Sequence, residues 1–284
     1  MRTPHKETVN EDWLNLHRDD ETGIETINAH FRGHAYDSHD HDEVLVGITQ
    51  QGLQRFNCHR AMHTSIPGRA ILIEPGAVHD GHAPDTGGFT YAMLYLPQSW
   101  VSDIMQQRAL GDVSAIEAAF HSTLTDDPLL SIAIQQAFFS IHHKEGRLAR
   151  DQSLDHLISL LSRHISTRPQ SLLDNASGQM NQLRDYLHDH LSLDIGLGEL
   201  SHQLGIDRFR LTRQFKKAFG QSPHAYLVQL RLRTARTLLA QGIEPALVAS
   251  QVGFSDQSHM GRWFKRAYRL SPAAYQRQCT NVLD

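Results

Sequence analysis

The sequence predicts an α+β protein of two domains: an N-terminal β-barrel with a helical connector, then an all-α module holding two helix-turn-helix units. Three observations carry that prediction. Short apolar or alternating runs separated by glycine turns fill residues 24–96. After Pro97 the apolar residues change to steps of three and four. Near the end the chain repeats itself: the fourteen residues from Arg213 to Tyr226 return 49 positions later as Arg262 to Tyr275, with eight identities. Self-similarity at a fixed spacing marks one supersecondary unit used twice.

Bulk properties fit this division. At 284 residues the chain has length for two cores, and 40% hydrophobic with 20% charged residues is an ordinary globular balance. The net charge of −4 conceals a split. Residues 179–284 carry 14 Lys/Arg against 8 Asp/Glu, whereas residues 1–178 carry 13 against 23. A basic module joined to an acidic one points to a polyanion partner for the first alone. Cys58 and Cys279 stand far apart in no metal-ligand spacing, as in a reducing compartment. The N-terminus lacks the apolar stretch of a leader, and no run approaches 18 apolar residues. The expectation is a cytoplasmic, nucleoid-associated protein without a membrane partner.

Residues 1–97 are assigned to the barrel and its arm, with residues 1–20 polar and unpatterned. Strands are expected at Val44–Ile48, Leu53–Cys58, Ala70–Ile73 and Phe89–Tyr95, and several short strands at near-regular spacing imply a sandwich or small barrel. Residues 98–166 form the connector, with helices expected over Trp100–Ala109, Ser114–Leu124, Pro128–Glu145 and Arg150–Ser166. Leu154, Leu157, Ile158, Leu161 and Ile165 make one stripe, which serves either the core or a homodimer contact. Residues 167–178, with Pro, Gly, Ser and Asn and little periodicity, read as a linker.

Residues 179–284 hold the repeated units. In the first, Leu197–Leu204 is closed by Gly205, a residue free to take positive φ, and Asp207 caps the next helix. Leu211, Phe215 and Phe219 recur every four residues and turn inward. Arg208, Phe209, Thr212, Arg213 and Lys216 are left outward, on the part of a recognition helix that enters a DNA groove. In the second unit Pro245 opens a helix, Gly253 turns the chain, and Ser255 or Asp256 caps a helix through Tyr268. Its outward residues are Gln257, Ser258, Gly261, Arg262 and Lys265. One helix over Pro223–Ala240 joins the units. At 1.5 Å per residue it spans ~27 Å, close to the ~34 Å between successive major-groove faces.

Over residues 179–278 the chain resembles the DNA-binding domain of the AraC/XylS family of bacterial transcription regulators. The runs that carry the likeness are Leu211–Pro223, Arg231–Leu239 and Val252–Ser258. The resemblance implies a seven-helix domain on promoter or operator DNA, with base contacts at Phe209, Thr212, Arg213, Gln257, Ser258, Gly261 and Arg262. Gly261 departs from the usual Ser or Thr, and Arg269 replaces the usual helix-ending glycine.

In the acidic half, His39-Asp-His41 places two imidazoles on one side of a strand, because strand side chains alternate. With Gly33 and Pro75-Gly-Ala-Val-His79 this resembles the two motifs of a cupin barrel. The glutamate of metal-binding cupins has no counterpart, since its positions hold Leu45 and Val46, with Glu43 too close to match. His39, His41 and His79 are therefore assigned to an effector pocket. No cofactor is expected, although three histidines are chemically able to hold a divalent metal such as Zn²⁺ or Fe²⁺.

No phosphate loop, nucleophile elbow or His-Glu-x-x-His is present, and the chain is not expected to be an enzyme. The expectation is a transcription regulator that answers a small-molecule effector and engages double-stranded DNA and RNA polymerase, as an activator in the assigned class. The alternatives are a metal-dependent cupin enzyme carrying a DNA tether, and a constitutive DNA-binding protein whose barrel is a dimerisation scaffold.

Overall fold

The computed structural model describes residues 12–107, 120–165 and 178–280. The linker expected at 167–178 falls almost wholly outside them, as do the start of the arm and most of the helix expected at Ser114–Leu124.

The N-terminal half is made of two sheets. Strands β1 (Trp13–Arg18), β2 (Glu25–Phe31), β4 (Val44–Gly52), β7 (Ala70–Ile73), β9 (Phe89–Leu96) and β10 (Leu124–Thr125) form one, in the order β1-β2-β9-β4-β7-β10. Strands β3 (His34–His39), β5 (Gln54–Cys58), β6 (Ala61–Ser65) and β8 (His79–His82) form the other, in the order β3-β8-β5-β6. β9 shows why its whole run is apolar: it lies centrally and is buried on both faces. Tyr91, Met93 and Tyr95 face the second sheet with Phe31, Tyr36, Phe56 and Ile73, while Ala92, Leu94 and Leu96 face helices.

The expected closed, cupin-like barrel is not what the chain forms. Both sheets are open, and among the described residues no strand pairing joins the edge of one sheet to the other. Alternation in a sequence reports which side chains turn inward, and it does so equally for a sandwich and for a barrel. Closure depends on which backbone edges pair, and here β3 pairs with β8 only through repeated register shifts. A second difference lies in the arm. Trp13–Arg18 forms edge strand β1, paired with β2 over six residues, within a segment that reads as a polar arm apart from Trp13, Leu14 and Leu16.

Helices α1 (Gln98–Gln107), α2 (Pro128–His142) and α3 (Arg147–Leu161) pack on the outer face of the six-stranded sheet. Asp127 caps α2 through the amides of Leu129 and Leu130, and Pro128 supplies the preset first turn. Leu154, Leu157, Ile158 and Leu161 are buried in this core, so the stripe is packing and not a free surface.

Seven helices follow among the described residues: α4 (Gly178–Asp189), α5 (Leu197–Leu204), α6 (Arg208–Phe219), α7 (Pro223–Ala240), α8 (Pro245–Gln251), α9 (Gln257–Tyr268) and α10 (Pro272–Thr280). They build two small cores. Met180, Leu183, Leu187, Leu200, Leu211, Phe215 and Leu227 make the first, and Val248, Phe254, Met260, Phe264 and Tyr275 anchor the second. The 18-residue α7 contributes to both, giving Leu227 to one and Leu232, Ala235 and Leu239 to the other. The second turn cannot be built without Gly253, where φ is +85° and an added Cβ would lie 2.5 Å from the Ser192 carbonyl oxygen. No helix among the described residues is long and apolar enough to cross a membrane.

Candidate nucleic-acid interface and effector site

Each helix-turn-helix exposes the start of its second helix, because the apolar residues at four-residue steps take the opposite face. In α6, Leu211 and Phe215 are fully buried, while Arg208, Phe209, Arg213 and Lys216 are exposed. Phe209 is 86% exposed, its ring on the solvent-facing start of the helix. Thr212 is half-buried, its hydroxyl donating to the Arg208 carbonyl at 2.9 Å. The Asp207 carboxylate accepts from the Arg210 amide at 2.9 Å and fixes the start of the helix. In α9, Gln257, Ser258, Arg262 and Lys265 are exposed and Gly261 is half-buried. Asp256 caps this helix through the His259 amide at 2.7 Å. At its other end Arg269 takes the left-handed conformation, φ 61°, that a terminal glycine would adopt without strain.

His39, His41 and His79 do converge. Their ring centroids lie 4.7 Å (His39–His41), 4.7 Å (His39–His79) and 5.3 Å (His41–His79) apart. His39 ends β3 and His79 begins β8, its register partner, whereas His41 sits beyond the strand in the following turn. Burial drives the His39 imidazole down to about 3 and holds His41 and His79 below the usual histidine range. All three are accordingly neutral at pH 7.

The cluster also lies on the seam between the two halves of the molecule. The rings of His39 and His41 approach Tyr268, the last residue of α9, at 6.1 and 5.7 Å. Arg236 of α7 donates to His41 Nδ1 at 3.3 Å, and its guanidinium pairs with Glu25 at 2.5 Å and Glu43 at 3.1 Å. It also stacks over Tyr95, Tyr268 and Tyr275. Tyr275 of α10 donates to the other Glu25 oxygen at 2.6 Å, where Arg18 joins at 2.9 Å. Burial opposes the Arg236 charge, yet Glu25 and Glu43 outweigh it and hold the guanidinium well above its ordinary range. Beside it, Arg233 pairs with Asp40 and Asp42. Burial lifts the Asp40 carboxyl to about 6 against the pull of Arg233. At the surface, Arg266 meets Asp37 at 2.6 Å.

Both halves match known families. Residues 21–178 match the AraC-like ligand binding domain, and residues 200–278 match a helix-turn-helix domain. The chain belongs to the AraC/XylS family. Its relatives include LumQ of Photobacterium leiognathi, a probable transcriptional regulator, 32% identical over 89% of this chain and 95% of LumQ. The transcriptional activator RhaS of Escherichia coli is 28% identical over 82% of this chain and 84% of RhaS. Among solved structures, fatty-acid-bound ToxT from Vibrio cholerae has a TM-score of 0.56 over the full length of both chains; at 14% identity this shows a shared fold alone.

This AraC/XylS-family member is a sequence-specific DNA-binding transcription regulator that responds to a small molecule in its N-terminal domain. Its role is regulatory and not catalytic. The cupin likeness read from the histidine motifs does not survive the open sheets. Sequence reasoning also missed Arg236, Arg233, Glu25 and Tyr275 as a set. One signal was present: Arg236 falls on the apolar period of α7, between Leu232, Ala235 and Leu239. A charge on a buried stripe requires a partner. Nothing in the local pattern said that the partner would be Glu25.

Proposed function

We propose that residues 179–284 read a promoter through two recognition helices while residues 1–97, with the helices of 98–166, sense an effector and, across the 167–178 linker, bias that reading. The observation that supports this most is the pair of exposed helix starts, one per unit, joined by the single helix α7. In this reading Phe209, Thr212 and Arg213 of α6 and Gln257, Ser258, Gly261 and Arg262 of α9 address base edges. Arg208, Lys216 and Lys265 meet phosphates, where a charge contributes affinity without sequence preference. His39, His41 and His79 belong to the effector-responsive part. Because RhaS is an activator, we assign activation and an RNA polymerase contact to this chain as well. Leu129, Ile132 and Phe139 on α2 are about half exposed and Leu148 on α3 is 83% exposed, which supports a homodimer through these two helices.

Selection of bound sequences from random duplex DNA tests the reading. The expected product is an asymmetric site with two preferred blocks about one helical turn apart. Arg213→Ala should relax one block and Arg262→Ala the other. Enrichment of no sequence, or of a single block indifferent to both variants, would overturn it.

A further inference from the structure

The three histidines are arranged more specifically than a pocket lining requires. His39 Nδ1 donates to the Asp37 carbonyl at 2.7 Å and His79 Nδ1 to the Ala77 carbonyl at 2.9 Å. A carbonyl can only accept, so each Nδ1 carries the proton and each Nε2 of the neutral ring keeps a lone pair. Backbone carbonyls that orient imidazoles in this way are the usual support of metal-ligating histidines. His41 Nε2 is buried and has no hydrogen-bond partner. One ring nitrogen from each residue lies within 4.8 Å of the others. A cation held at about 2.0–2.1 Å from each nitrogen would draw the rings inward.

The space fits an ion and not an organic molecule. His39 and His79 border a cavity of about 30 Å³ beside Tyr36, Tyr91 and Tyr95. On the other side, next to Arg236 and Tyr268, His39 and His41 border one of about 10 Å³. Cavities of this size hold a water or two. Three imidazole nitrogens favour zinc, iron, cobalt, nickel or copper over the oxygen-seeking magnesium and calcium.

His41 connects such a site to the seam. As the structure stands, His41 Nδ1 accepts from Arg236. A cation bound at Nδ1 displaces that guanidinium. A cation bound at Nε2 forces the proton onto Nδ1, which then opposes Arg236 with a second donor. Either way the Arg236–His41 hydrogen bond and a bound cation exclude each other. We propose that His39, His41 and His79 form a binding site for a divalent transition-metal cation such as Zn²⁺ or Fe²⁺, and that filling it frees Arg236 from His41 and loosens the seam between the sensory half and α7. The inference rests on the effector-responsive reading above and names a ligand class for the same residues.

The test uses the full chain, stripped with chelator and titrated with Zn²⁺ or with anaerobic Fe²⁺ against a competing chromophoric ligand. One equivalent per chain is expected, with His39→Gln and His79→Gln each weakening binding at least 100-fold while keeping the wild-type circular dichroism. Selected operator DNA should be bound with at least tenfold different affinity with and without the metal. Arg236→Met keeps all three histidines, so it should retain the metal and lose most of that difference. No stoichiometric binding of either metal, or variants that bind as wild type does, would overturn the site. Stoichiometric binding with unchanged DNA affinity would overturn its coupling to the seam. Should the histidine variants fail to fold, the stoichiometry of metal titration of the wild-type chain still decides whether a site exists. A chain that binds its operator but takes no metal leaves the regulator reading intact, whereas one that selects no DNA under any condition counts against that reading and not against the site.

Discussion

Arg236 on α7 and Glu25 on β2 are 211 residues apart in the chain and 2.5 Å apart in space. Both side chains are almost completely buried. Glu25 accepts from Arg236, Tyr275 and Arg18, and together they hold its carboxyl below the usual range despite the burial that opposes it. Removing Glu25 leaves the buried Arg236 with Glu43 as its carboxylate partner, and breaking a buried ion pair costs up to roughly 3–5 kcal/mol. Glu25→Gln should therefore lower stability by an amount of that order in urea denaturation. A midpoint within experimental error of wild type would show that the two halves do not depend on this contact.

The reading heads give a second prediction. Arg213 is exposed on the face of α6 opposite Leu211 and Phe215. An arginine aimed at guanine O6 and N7 discriminates by about 1–3 kcal/mol, so Arg213→Ala should weaken selected DNA by that amount and relax preference at one position. Lys216→Ala should instead weaken all sequences alike and flatten the salt dependence. Filter binding at three salt concentrations separates the two patterns.

Gly261 has no steric reason to be glycine. An added Cβ would meet nothing closer than Pro272 Cδ at 3.9 Å, an ordinary contact. Glycine within a helix costs about 1 kcal/mol relative to alanine. Gly261→Ala should raise the melting temperature by a few degrees, and a lower one would contradict the packing described.

Acid should weaken the protein through its buried histidines. A base whose folded pKa is depressed favours the folded state above its unfolded value, and that advantage disappears as pH falls toward the folded one. For His39 the window runs from 6.5 down to about 3, and His41 and His79 shift the same way. Between pH 6.5 and 5 His39 contributes a loss of up to about 1.4 kcal/mol per pH unit, and Asp40, lifted to about 6, acts in the opposite sense below that pH. Denaturation of chelator-treated protein across this range should show the loss, with a shallower slope in His39→Gln. An identical slope in that variant would remove His39 from the account.

Much of the C-terminal half was legible in the sequence for a local reason. Helix periodicity, the Asp207 and Asp256 caps and the Gly205 and Gly253 turns are decided within a few residues, and each stands where the repeat placed it. The N-terminal strands at 44–48, 70–73 and 89–95 were legible through alternation and turns, but β1 was hidden because an edge strand half-covered by a neighbour needs little apolar pattern.

What the sequence by itself determined is thus the strands β4, β5, β7 and β9, the helices α4 to α9 with their inward faces, and the pair of recognition helices that mark a DNA-binding regulator. Only the tertiary structure decided which edges pair, leaving two open sheets in place of a barrel. It also decided that Arg236 and Tyr275 would come to rest on Glu25, beside His41. The physical reason is range. Propensity, capping and periodicity act over a few residues, whereas sheet closure and buried ion pairs depend on partners brought together by the packing of the whole chain.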